Sequence, residues 1–270
     1  MSVITISRGS FSGGKMLAEC LAHRLGYRCV DRDVIVERAA ASGVSQDELL
    51  DALLKPPTFL ERFGHKRYLY LALIQAALAE EVRTGRVVYH GNAGHLLLKG
   101  ASPVLRVRII APLEFRLAML EHRLKISREE GIAYIQKVDE GRRKWTQFLY
   151  GVSWEDPAQY DLVINLEHLA IDEACDVLEA VVKRHKYFQF TEEHQAALED
   201  LALASRTRAQ LAIDPSTSHL EVEVTALRGA VRIKGKLTRP EELEDVRRVA
   251  LAVPGLTSLN LDELTPGVHV

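Results

Sequence analysis

Cysteine, tryptophan and methionine are scarce in this chain, at 3, 2 and 3 of 270 residues. The cysteines (Cys20, Cys29 and Cys175) are odd in number and include no C-x-x-C pair, which argues against a disulfide framework and a cysteine-built zinc site. An excess of one charge is missing too: 35 Lys and Arg against 37 Asp and Glu leave a formal charge of -2. That balance gives no global attraction to nucleic acid or to an anionic membrane, so any phosphate site has to be local. Long apolar runs are absent. The strongest, residues 68–79, is about a dozen residues flanked by charges and too short to cross a bilayer. The opening MSVITISRGS has no charged segment leading into an apolar stretch, so no secretory leader is expected and the reading is a cytoplasmic protein.

What is present is ordinary core material. Hydrophobic residues make up 47% and charged residues 27%, which excludes low-complexity, collagen-like and disordered classes. At roughly 150 residues per domain the length suits one large domain or two. Val3-Ile4-Thr5-Ile6 is a β-branched run that ends at a Gly/Ser turn and reads as a buried strand. Leu17, Leu21 and Leu25 then share one face of a helix over 16–25, which Gly26 stops. The alternation continues: a strand over 27–30 ending at Asp31, a helix over 33–41, a loop at Lys55-Pro56-Pro57-Thr58, and a long helix over 66–83. Strands follow over 86–89, 104–110 and 160–165, with helices over 114–124, 127–145 and 171–183. Strands alternating with helices predict an α/β fold, a parallel sheet flanked by helices with right-handed crossovers.

The pattern changes near residue 190. Residues 187–190 read as a linker or an edge strand. After them come a helix (192–212), two strands (219–225 and 230–237) around Leu227-Arg228-Gly229, a helix (240–252) and a strand (256–261). This α-β-β-α-β order predicts a small α+β module. We therefore divide the chain into 1–186 and 187–270.

Gly9-Ser10-Phe11-Ser12-Gly13-Gly14-Lys15-Met16 matches G-x-x-x-x-G-K, the Walker A pattern, between a strand and a helix. Glycines let a backbone fold tightly and aim N–H groups at phosphate oxygens, the helix start adds a favourable field, and Lys15 reaches the outer phosphates. The pattern breaks at Met16, where Ser or Thr normally offers Mg²⁺ a hydroxyl. A thioether is a soft, poor ligand for that hard cation. Ser10 or Ser12 is a substitute, or nucleotide and water hold the metal alone. No protein metal site is assigned.

These residues resemble the cytidylate kinase-like branch of the P-loop nucleoside monophosphate kinases. The resemblance rests on ITISRGSFSGGK, Val30-Asp31-Arg32-Asp33-Val34-Ile35 and Arg86-Val87-Val88-Tyr89-His90-Gly91. It continues through Ile110-Ala111-Pro112-Leu113-Glu114-Phe115-Arg116, residues 137–142 and residues 160–165, and covers about 180 residues in order. It implies a P-loop sheet, ATP as donor with Mg²⁺, a nucleoside monophosphate as acceptor (CMP or dCMP first) and an arginine-bearing lid. Phe11 departs from the resemblance where a glycine is common, and Asn92 where an arginine usually follows the strand glycine. Residues 192–264 resemble a BON domain, carried by residues 229–235 and Ala252-Val253-Pro254-Gly255-Leu256. That likeness implies a regulatory or dimerising module that contacts a protein or a second copy.

The residues assigned to nucleotide binding are Gly9, Ser10, Ser12, Gly13, Gly14, Lys15 and Met16. Those assigned to catalysis are Lys15, Asp31, Arg116 and Arg142, since guanidinium forks suit the charge spread over a transferring phosphoryl group. Arg123 and Arg143 lie in the same lid-like stretch. Asp31 is read either as an acceptor-side group or as the cap of the helix after it. Asp139 suits an i,i+3 partner of Arg142. His90 and His95 flank a glycine turn with no metal or triad spacing. Arg232, Lys234 and Lys236 share one strand face, either solvated or facing an anionic partner. Two functions from different classes follow: a phosphotransferase, or a nucleotide sensor whose site has lost its chemistry at Met16 and Asn92. A structural protein whose loop binds nothing is the third.

Overall fold

The computed structural model describes residues 2–55, 65–189 and 191–266. Val3, Ile4, Thr5 and Ile6 are buried on both sides, as the central strand of a parallel sheet requires. This strand, β1 (Val3–Arg8), lies in a sheet with β2 (Arg28–Asp31), β3 (Val87–His90), β4 (Val104–Ile110) and β5 (Leu162–Asn165). The order is β2-β3-β1-β4-β5 and every pairing is parallel. Helices α1 (Gly14–Leu25) and α8 (Ile171–Arg184) cover one face, where Ile4, Leu17, Leu21, Val107 and Leu178 pack together. The other face carries α2 (Arg32–Ala40), α3 (Gln46–Leu54), α4 (His65–Val82) and α5 (Gly94–Leu97), packed around Val3, Val87, Leu53, Ile74 and Leu78. Two further helices, α6 (Leu113–Leu124) and α7 (Arg128–Tyr150), form a hairpin over the end of β4 with a small apolar centre at Leu117, Leu120 and Ile135.

The expected α/β sheet with flanking helices is therefore present. Two helices, α3 and α5, had no counterpart in the sequence reading. Residues 186–188 form a single 3-10 turn where a linker or strand was expected. Pro56, Pro57 and Thr58 of the expected loop, and Phe190, lie outside the described residues.

The C-terminal part follows the expected order: α9 (Glu192–Ile213), β6 (Val222–Leu227), β7 (Ala230–Leu237), α10 (Glu242–Leu251) and β8 (Ser258–Pro266). Its sheet is mixed: the central strand β7 pairs antiparallel with β6 and parallel with β8. Along β7 the side chains of Val231, Ile233 and Leu237 are buried while Arg232, Lys234 and Lys236 are exposed, the alternation a one-sided sheet demands. The hairpin turn is tied to α9 by the Asp200 carboxylate, which accepts from the N–H groups of Arg228 (2.8 Å) and Gly229 (3.0 Å). Helix α9 belongs to two cores. Leu198 and Ala209 pack with α4 against the large sheet, and Leu203 and Leu211 pack under the small one. Among the described residues no helix is long and apolar enough to cross a membrane.

Candidate functional site

The C-terminal end of β1 opens into the loop 9–13, which feeds directly into α1. Gly13 caps α1 with φ 82°, a left-handed conformation that glycine adopts without penalty. The first N–H groups of a helix have no intrahelical partner, so the start of α1 faces the loop as a donor surface for an anion. Ser12, fully buried, stitches the loop: its hydroxyl donates to the Gly9 carbonyl at 3.0 Å and the Ile109 carbonyl at 3.4 Å. Phe11 adopts φ 59° in the position where the resemblance expects glycine. Its ring packs beside Leu117, Leu120 and Ile135, and meets Tyr134 edge-on at 6.0 Å. Contact with the α6–α7 hairpin thus offsets a strained backbone.

Three arginine side chains converge on this loop from β1, α6 and α7, and Lys15 follows it at the start of α1. Lys15, on the first turn of α1, lies 3.7 Å from Glu19 and is exposed. Arg116, from α6, donates through Nε to the Ser10 carbonyl at 2.7 Å and through Nη2 to Asp139 at 2.6 Å. Its Cζ stands 3.3 Å from where a Cβ on Gly9 would be, so the guanidinium lies against the loop itself. Arg142, from α7, donates to the Arg8 carbonyl at 2.6 Å and lies 3.8 Å from Asp139. Burial pushes the Arg142 guanidinium down to about 10, against the pull of Asp139. Arg8, the last residue of β1, runs beneath Gly14, where a Cβ would stand 2.6 Å from its Cδ. Burial and the neighbouring charges of Arg32 and Arg123 lower the Arg8 pKa as well. Burial and neighbouring arginines thus disfavour the charged forms of Arg8 and Arg142, a setting in which an added anion is favourable.

The acidic groups are fewer and already committed. Asp139 holds Arg116 and lies 3.5 Å from the Ser10 hydroxyl. Asp31, at the end of β2, accepts from the N–H groups of Asp33 and Val34, both at 3.0 Å, so it caps α2 as one of its two readings held. Met16 is 50% exposed at the start of α1. Among the described residues no group of three or more His, Cys, Asp or Glu side chains is placed to hold a metal ion.

Beside the loop lies a cavity of about 20 Å³ lined by Ser7, Arg8, Asn92, His95, Arg142 and Trp154. His95 is 5% exposed, and neither ring nitrogen has a hydrogen-bond partner; the same holds for Trp154 Nε1 and Arg142 Nε. Burial pushes the His90 and His95 rings down to about 4. Asn92 donates to the Leu53 carbonyl at 3.4 Å. A much larger cleft, about 870 Å³, lies between α2, α4, α9 and α10, away from the loop. The loop edge is the candidate site, because the unbalanced charge gathers there.

The structure thus brings Gly9, Ser10, Gly13, Gly14, Arg116 and Arg142 together, leaves the Lys15 side chain beside Glu19, and places Asp31 at the next strand end but one. Arg123 and Arg143 are exposed, Arg143 being paired with Glu140. Sequence reasoning passed over Arg8 and Trp154, and set His95 aside as incidental. Arg8 had a signal, since it directly precedes the first loop glycine. His95 and Trp154 had none, because only the fold sets them beside Arg142.

A model of the cytidylate kinase-like family matches residues 3–168. A relative named cytidylate kinase from Thermococcus kodakarensis is 26% identical over 181 residues, covering 67% of this chain and 87% of its own. Another, named cytidylate kinase from Pyrococcus horikoshii, is 27% identical over 182 residues, covering 67% of this chain and 88% of its own. The crystal structure of an uncharacterized protein from Eubacterium ventriosum superposes with a TM-score of 0.53 at 15% identity, over 67% of this chain and 97% of that one, a likeness of fold.

Proposed function

This chain belongs to the cytidylate kinase-like family, and on that premise we propose that it transfers the γ-phosphoryl group of ATP to a nucleoside monophosphate, with CMP or dCMP as first candidates. The observation that carries the reading is the convergence of Arg8, Arg116 and Arg142 on a loop that opens a helix, with Lys15 in the first turn of that helix. Phosphoryl transfer asks little covalent chemistry of a protein and much positioning and charge. In this reading the loop 9–14 and the start of α1 hold the donor phosphates. Lys15 follows the moving group, and Arg116 and Arg142 take the charge on its equatorial oxygens. An oxygen of the acceptor phosphate attacks the γ-phosphorus in line as the bond to the β–γ bridging oxygen breaks. ADP leaves, and no covalent enzyme intermediate forms. Asp31 and Asn92, at the strand ends beside Arg142, form the acceptor side.

Mg²⁺ fits as an ion that arrives with the nucleotide and keeps its waters, supplying charge neutralisation at the phosphates. Ser12 is committed to two carbonyls, so Ser10, whose hydroxyl has one long contact, is the chain's available oxygen in the loop. We assign residues 1–186 to the kinase unit and 187–270 to a linker and BON-like module, in a cytoplasmic protein. The α-β-β-α-β order supports the second assignment, with association to a protein or another copy as its role.

The test is ADP release from Mg-ATP with CMP, dCMP, UMP, AMP and GMP in turn, wild type beside Lys15→Ala. The reading expects turnover with at least one acceptor and its loss in the variant. ATP binding that depends on Lys15, with no turnover on any acceptor, favours the alternative of a nucleotide sensor. Met16 and Asn92 motivate that alternative. In a protein that does turn over, a Met16→Ser, Asn92→Arg double variant that gains nothing counts against it.

A further inference from the structure

Helix α5 has four residues, so the carbonyls at its end lack partners within the helix. That of Leu97, whose residue is 1% exposed, is supplied by Gln75 of α4, whose Nε2 donates at 3.0 Å. The other half of the same amide, Oε1, accepts from Nη1 of Arg208 on α9 at 2.9 Å. An amide donates from one side and accepts on the other, so donation by Arg208 fixes which way Gln75 faces. Arg208 is held in turn by Tyr68: Nε donates to the phenol oxygen at 3.2 Å and the guanidinium sits 4.6 Å over the ring. The Tyr68 hydroxyl donates to the Val222 carbonyl at 2.8 Å and accepts from the Val222 N–H at 3.3 Å. One polar chain therefore runs from strand β6 of the small sheet to the short helix that carries His95 into the cavity beside Arg142.

We propose that Arg208 and Gln75 are positioning residues for the acceptor side of the site. Through the Gln75 amide, the C-terminal module sets the placement of residues 91–97 and with them Asn92 and His95. The proposal rests on the reading of that edge as the acceptor side. Neither residue touches the site; each acts through the Leu97 carbonyl. Removing Arg208 frees the amide to turn over and leaves a buried carbonyl without its donor, which loosens α5.

The experiment is hydrogen exchange on the full chain, without substrate, for wild type, Arg208→Ala and Gln75→Met. Exchange across 91–98 should rise about tenfold in both variants while the loop 9–14 keeps its wild-type rate. In turnover, KM for the acceptor should rise several-fold with KM for ATP unchanged, a split that general destabilisation would not produce. The proposal is overturned by a wild-type rate across 91–98 in Gln75→Met. It is equally overturned if the acceleration in Arg208→Ala stays within β6 and α9. A wild type that phosphorylates no monophosphate removes the kinase reading, and the exchange result still decides whether the module holds 91–97.

Discussion

Arg8 and Gly14 depend on each other at the level of single atoms. A Cβ on Gly14 would stand 2.6 Å from Cδ and 2.9 Å from Cβ of Arg8, so the smallest added side chain must displace the arginine that underlies the loop. Gly14→Ala is expected to lower kcat/KM for phosphoryl transfer by about a hundredfold, since misplacing one charge-stabilising group costs on that order. Steady-state kinetics beside a melting curve checks this; an unchanged rate in a folded variant contradicts the role given to Arg8. At this scale the sequence showed the loop glycines and Lys15, because their spacing is itself the signal. Arg116 and Arg142 were legible through the resemblance. The Arg116–Asp139 pairing at 2.6 Å was not, because it joins residues 23 positions apart on different helices. Phe11 was legible as a departure, but its left-handed φ and its packing on the hairpin needed coordinates.

Among the described residues, the turn from β3 into α5 holds three buried ring nitrogens without a hydrogen-bond partner, His90 Nδ1 and both nitrogens of His95. His90 and His95 are 4% and 5% exposed and sit with rings lowered to about 4 from an ordinary 6.5. Burial is the main cause for both, reinforced by nearby arginines. Because the folded value is the lower one, the unfolded chain takes up protons first as pH falls. The stability is complete above pH 6.5 and drains away between 6.5 and 4. Each ring accounts for roughly 3 kcal/mol of that loss at pH 4. Urea unfolding at pH 7, 5.5 and 4 should show a steep fall for wild type and a shallower one for the His90→Gln, His95→Gln double variant. Equal slopes would count against neutral, buried rings. Helix α5 escaped the sequence reading for a physical reason: four residues are too few to show a helical period. The long helices and β-branched strands were found because their periodicity persists over many positions, but ends were missed by up to five residues: the helix read to 145 runs to Tyr150, and the strand read to 261 runs to Pro266.

Across the whole molecule, α9 joins the two sheets into one packed body. Leu198 and Ala209 complete the core over the large sheet, and Leu203 and Leu211 complete that of the small one. A boundary near residue 187 marks where the pattern of elements changes, not where packing stops. Strand alternation could announce a parallel sheet and an α-β-β-α-β module, but not that one helix serves both, since its apolar residues spread around more than one face. The same docking brings Arg208 to Gln75 and so to the candidate site. The central claim remains that the loop edge moves a phosphoryl group from ATP to a monophosphate, and phosphorus NMR tests it most directly. With Mg-ATP and CMP, the account predicts ADP and CDP appearing in equal amounts in the wild type and neither with Lys15→Ala. ADP formed with inorganic phosphate while CMP stays unchanged, or CDP formation that survives Lys15→Ala, would contradict it.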